Sequence, residues 1–207
     1  MSLDSALAVA KLVSLLERVD GRKRLQKLVF LLKAKGYKGF DQEFVLHYYG
    51  PFSRQLAREL DFLQQANLIR EIPPGGDENR SEGTYVYAPV LGAGKKPRIV
   101  ELAGVRRKPP WQEAAKLLAE QSTPFLEALS TVVYLRRKGL TGEQLKEGFR
   151  RTKPKLGHHF SRADKEAGAY LVPASRRNRV SMPSRKNRGR AKSPLPHPLS
   201  RKKTSPR

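Results

Sequence analysis

Apolar positions recur at helical spacing through the first third of the chain. Leu12, Leu15, Leu16 and Val19 fall at i, i+3, i+4 and i+7, the single stripe of a helix over residues 5–19. Asp4 or Ser5 is placed to accept from its first N–H groups, and Gly21 ends it. The segment "RKRLQKLVFLLKAKG" repeats the stripe through Leu25, Leu28, Val29 and Leu32 and predicts a second helix stopped at Gly36. Two successive amphipathic helices bury their stripes against each other or a third element. Residues 40–49, "FDQEFVLHYY", are rich in aromatic and branched side chains and predict a short strand. Gly50-Pro51 breaks that strand, and Ser53 then caps a third helix over 54–65 with Leu56, Leu60 and Leu63 inward. Tyr49, Gly50, Pro51 and Ser53 therefore read as a structural turn, with Tyr48, Tyr49 and Phe52 packing to set the entry angle of the helix.

Beyond this helix, Leu68 and Ile69 lead into a Pro/Gly/Asp-rich loop, and Tyr85, Val86 and Tyr87 predict a strand. Helix, turn, helix, strand, loop, strand is the order of a winged helix-turn-helix module, whose second helix of the pair enters the major groove. The expected fold is mainly α (α+β), with a winged-helix-like domain over 1–91. A connector follows over 92–108, with a short strand at 98–102. A helical extension runs over 109–172, where Pro109-Pro110 and Thr123-Pro124 open helices and Trp111, Leu118, Phe125, Leu129 and Val133 supply core. Thr141 with Gln144 forms a capping-box pattern for one further helix. Residues 173–207 are poor in aromatics and rich in Pro, Ser and Arg, the composition of a disordered basic tail.

Charge sharpens this division. The chain has 207 residues and a formal net charge of +23. Residues 1–150 hold 25 Lys and Arg against 17 Asp and Glu, a net +8, whereas residues 151–207 hold 17 against 2, a net +15. A polycation is drawn to polyanions, and nucleic acid adds the release of condensed counterions. DNA ranks ahead of RNA here. A membrane is disfavoured: the tail lacks an apolar face, no apolar run reaches the roughly 18 residues a spanning helix requires, and no signal peptide is evident. The expectation is a soluble cytoplasmic protein, without disulfides because it has no cysteine. The candidate nucleic-acid contacts are Arg54 and Arg58 on the third helix, with Lys23, Arg24 and Lys27 as phosphate contacts on the second. A solvated basic face explains the second set equally well. Asp61 opposes the first set, in a pair with Arg58 or alone, and the wing loop, with Asp77, Glu78 and Glu82 against Arg80, is too acidic to grip phosphate. The tail reads as a nonspecific tether or as an unselected extension.

The segments "GRKRLQKLVFLLKAKG", "HYYGPFSRQLARELDFLQQANLIRE" and "GTYVYAP" carry a family resemblance. They resemble the uncharacterised YwgA-like proteins, whose hallmarks are a G-R-x-x-L-Q-K-L helix and a Y-x-Y-G-P-[YF]-S turn, and more distantly the Panacea or SocA-type antitoxin domain. The resemblance covers about residues 20–90. It implies a small prokaryotic cytosolic domain and supplies no enzyme activity or defined ligand. Antitoxin-type relatives bind a partner protein such as a toxin, which sets protein recognition beside nucleic-acid binding.

Other chemistries fall away. "GAGKK" lacks the first glycine and the hydroxyl residue of a phosphate loop, so it reads as an ordinary loop. His158-His159 has no second ligand cluster, and His47, read as a semi-buried histidine among aromatics, has no paired nucleophile. No metal, cofactor or catalytic residue is expected.

Overall fold

The computed structural model describes residues 2–75, 84–103 and 108–171. The loop segment with Asp77, Glu78, Arg80 and Glu82, read above as an acidic wing, and the basic tail over 173–207 lie outside these residues. What is described is mainly helical with a small antiparallel sheet.

Helix α1 (Leu3–Leu16) buries Leu12 with Val9 and Val13. It stops three residues earlier than its apolar stripe, because Glu17 turns to a φ of 59°. Val19 therefore belongs to strand β1 (Val19–Asp20), opposite Tyr87, and not to the helix. Helix α2 (Arg22–Ala34) follows at once. It is buried nearly all round, including Gln26 and Lys27, which makes it a central helix and not a half-exposed one.

Strand β2 (Val45–His47) forms where the aromatic run predicts one, but Gly50-Pro51 does not end the strand pairing. These residues begin the return strand β3 (Gly50–Phe52), with His47 opposite Gly50, Leu46 opposite Pro51 and Val45 opposite Phe52. The turn is Tyr48-Tyr49. Gly50 sits at a φ of 85°, which only glycine adopts readily. Pro51 is tolerated because a two-stranded ribbon leaves its missing N–H on an edge. Ser53 then caps α3 (Arg54–Gln65) as its spacing predicts, its hydroxyl accepting from the Leu56 N–H at 3.1 Å.

Strands β4 (Ile69–Ile72) and β5 (Val86–Pro89) complete a sheet of order β1-β5-β4, antiparallel throughout. The connector differs from expectation: α4 (Arg98–Ala103) replaces the short strand. Pro97 opens it with a preset φ, its carbonyl accepting from the N–H groups of Val100 and Glu101, and Ile99 is buried.

The remaining helices are α5 (Gln112–Ala119), α6 (Thr123–Arg137), α7 (Gly142–Thr152) and α8 (Phe160–Ala167). Ser122 caps α6, and Pro124 lies in its first turn. At α7, Thr141 stands at the N-cap but makes no side-chain cap bond, so the capping box with Gln144 is not formed. Helix α6 is the hub: it packs on α2, α7, α8 and β3. Trp111, Leu118, Phe125, Leu129 and Val133 are all in the core, and Trp111 meets Phe40 edge-on at 5.4 Å. Among the described residues no helix is long and apolar enough to cross a membrane.

Candidate nucleic-acid interface and the adjoining cleft

Helix α2 is a bracket that reads the backbone of the hairpin. Gln26 Nε2 donates to the Ser53 carbonyl at 2.9 Å, and the Ser53 N–H donates back to Gln26 Oε1 at 2.9 Å. One turn edge over, Lys27 Nζ donates to the Pro51 carbonyl at 2.7 Å. Arg22, at the helix start, donates through Nε to the Tyr87 hydroxyl at 2.9 Å, and that hydroxyl donates to Glu71 at 2.6 Å. The Tyr87 hydrogen bond raises the Arg22 pKa, while burial first and the Glu71 bond second raise that of Tyr87. Gly21 takes a φ of 86°, and a Cβ there would stand 3.0 Å from the Thr84 methyl. The G-R-x-x-L-Q-K-L helix and the Y-G-P-F-S segment are thus two halves of one joint.

The five candidate cations divide accordingly. Lys27, expected at the surface, is 2% exposed. Burial pushes its pKa down to about 7, with Lys153 and Lys23 pushing the same way and Glu127 opposing. Arg24 is turned inward too: its guanidinium donates to the Thr123 hydroxyl at 2.9 Å and to the carbonyls of Ala119 and Gln121. It closes the C-terminus of α5, where a cation is favoured, and burial lowers its pKa. Lys23 stays exposed but lies 3.8 Å over the Tyr49 ring and 3.9 Å from Glu127. Only Arg54 and Arg58 stand on an open helix face, in one exposed stripe with Asp61 and Gln65. Asp61 lies 3.9 Å from Arg22, so its ion pair runs to α2 and not to Arg58.

Beside the hairpin lies a cleft of about 990 Å³, walled by the hairpin tip, the start of α6 and the stretch that follows α7. Its floor is a charge cluster that the sequence reading did not find. Lys153 is almost fully buried; its Nζ donates to Glu127 Oε1 at 2.6 Å and to the Tyr48 carbonyl. With Lys23 and Lys27, three lysines surround one carboxylate. On the rim, Tyr48 is 74% exposed and Tyr49 49%, their rings edge to face at 4.9 Å. Neither packs to set the angle of α3; α2 does that through Ser53. His47, read as semi-buried, is exposed on the same rim, tilted against Phe52 at 5.7 Å.

The chain is 26% identical over 129 residues to "Uncharacterized protein YwgA" of Bacillus subtilis strain 168, a stretch that spans 62% of this chain and 72% of that one. That likeness supports a YwgA-like family. No family model matches the chain.

The remaining motifs are accounted for locally. "GAGKK" folds into a tight turn in which the Gly92 N–H donates to the Lys96 carbonyl at 2.7 Å and the Lys95 N–H to that of Gly92. The His158 and His159 rings lie 4.0 Å apart at a tilt of 46°, and His159 meets Phe125 at 5.8 Å. Burial first, then His158 and Arg162, lower the His159 pKa. Among the described residues no three His, Cys, Asp or Glu side chains are grouped to hold a metal ion. Lys153 and Glu127 escaped the sequence reading because they are 26 residues apart on separate helical segments, with no spacing to link them.

Proposed function

We propose that the chain is a non-enzymatic, cytoplasmic nucleic-acid-binding protein with a regulatory role, in which a winged-helix-like unit presents α3 to duplex DNA. The observation that carries this reading is the open stripe of α3, with Arg54 and Arg58 one turn apart on a helix fixed at its N-cap. Its setting supports it. Three helices precede the β4-β5 pair, and β1 pairs with β5 in the sheet order β1-β5-β4, an arrangement compatible with a helix laid in the major groove. Arg is the side chain best suited to bidentate contact with guanine or phosphate. The tail adds 12 Lys and Arg with no acidic residue over 172–207, a sequence-independent attraction.

The test is duplex binding of the full chain with Arg54→Ala and Arg58→Ala combined. Loss of about tenfold or more is expected at moderate salt, from two phosphate or base contacts of roughly 1 kcal/mol each. Unchanged affinity would place all binding in the tail and sink the reading for α3.

The alternative is an adaptor or antitoxin-like module that captures a partner protein such as a toxin, in line with the distant resemblance to the Panacea/SocA-type domain. The observation favouring it is the exposed apolar hairpin, with Val45 at 59% and Tyr48 at 74%. Capture of one stoichiometric partner, insensitive to salt and to nuclease but lost on Tyr48→Ala, would establish it instead.

A further inference from the structure

The geometry points to the cleft between the β2-β3 hairpin, the start of α6 and the end of α7 as a binding site for a nucleoside phosphate, as a free nucleotide or as the phosphorylated end of a single strand. This site is distinct from the α3 stripe and does not rest on duplex binding.

Three features specify the ligand. The first is charge. Glu127 is already neutralised by Lys153 at 2.6 Å, with Lys23 at 3.9 Å and the buried Lys27 behind. Arg151 and Lys155 are exposed on the rim and add two more cations. The wall thus carries a surplus of positive charge around a single carboxylate, which an anionic ligand would balance. Helix α6, 15 residues long, adds the positive end of its dipole, since Thr123 and Pro124 of its first turn line the same space.

The second feature is aromatic. Tyr48 projects with most of its ring in solvent, while the Tyr49 ring is covered by the Lys23 ammonium. A base stacked on Tyr48 would cover that exposed ring with a face of matching size. A bare phosphate would leave the exposed part of that ring, and the apolar wall of Leu46, Pro124 and Leu156, uncovered. The third feature is size, for about 990 Å³ lies at the upper end of the range of roughly 300–1,000 Å³ for small-molecule sites. A mononucleotide fits, and a strand can leave through the open side.

The experiment is titration calorimetry of the full chain with adenosine monophosphate, adenosine, inorganic phosphate and a short 5′-phosphorylated oligoadenylate, at about 0.15 M salt to screen the tail. Saturable binding of the monophosphate at one per chain is expected, with adenosine and phosphate each weaker by about tenfold through loss of the charge or the stacking contact. Tyr48→Ala should weaken it by a similar factor, Tyr48→Phe should restore it, and Arg151→Gln with Lys155→Gln should weaken the phosphate-bearing ligands alone. These positions are exposed, so the fold is left intact. Arg54→Ala with Arg58→Ala should leave nucleotide binding unchanged even where duplex binding is lost, which separates this site from α3. Tighter binding of the oligonucleotide than of the monophosphate, with the difference abolished by Tyr48→Ala, identifies a strand end as the occupant, and the reverse identifies a free nucleotide. Phosphate binding as tightly as the monophosphate, affinity indifferent to Tyr48→Ala, or no saturable binding of either nucleotide overturns the proposal.

Discussion

Lys27 shows how much a single buried cation weighs. In the unfolded chain its ammonium titrates near the ordinary value of 10.5, whereas in the fold burial brings it down to about 7. Below pH 7 both states carry the proton and the penalty of burying charge is fully present. Between pH 7 and 10.5 the unfolded state binds the extra proton, so stability rises with pH, at most by about 1.4 kcal/mol per unit. Urea unfolding midpoints measured from pH 7 to 9 should therefore climb in the natural chain and stay flat in Lys27→Met. A climb that survives the substitution would assign it to another group. Gly50 is the other residue with no freedom. Its φ of 85° is joined by crowding, since a Cβ would stand 2.8 Å from the Thr131 hydroxyl. Gly50→Ala should lower stability by about 2 kcal/mol or more, seen as a reduced urea midpoint. Neither fact was legible in the sequence beyond a Gly-Pro pair and a basic run, because both depend on α6, whose Thr131 crowds Gly50 and whose Glu127 faces Lys27 from far along the chain.

At the scale of elements, helix positions were the legible part and their partners were not. The stripes of α2 and α3 predicted both helices closely, since burial periodicity is local. The turn residues misled for a physical reason: Gly50-Pro51 has the composition of a break, yet α2 supplies Gln26 and Lys27 to satisfy its backbone and hold it as a strand. That gives Gln26 and Ser53 unequal roles. Ser53→Ala removes only a cap and should cost about 1 kcal/mol. Gln26→Leu leaves the buried Ser53 N–H without a partner and its carbonyl with the Ala57 N–H alone, and should cost about 2–3 kcal/mol. Equal losses in urea titrations would mean that water takes the place of Gln26. In the candidate interface, Arg54 and Arg58 could be picked from sequence because a capped amphipathic helix has a predictable outer face. Arg24 could not be assigned, since its carbonyl partners on α5 lie about 95 residues away.

Across the whole molecule, α1, α2 and α6 share one apolar core, and cationic side chains tie its distant parts together. Arg24 links α2 to the α5-α6 corner, and Arg137 donates to the carbonyls of Ala34 and Tyr170. Such a core should melt as one unit. Trp111, buried against Phe40, is the single tryptophan and reports the α5 side, while far-ultraviolet dichroism reports all helices. The two transitions in urea should coincide, and a separated pair would reveal two cores.

The contact between Lys153 and the Tyr48 carbonyl spans 105 residues of sequence yet hangs on one side chain. Closing so long a loop late, and for so few bonds, makes it the natural place for the fold to open first. The hairpin tip would then swing away from α6 while α2 keeps its grip on Pro51 and Ser53, so that the cleft breathes without the body unfolding. Amide exchange should show this as weak protection at His47 and Gly50 of the hairpin tip beside strong protection at Leu28 and Leu129. Uniform protection across all four would mean that the tip opens only when everything does.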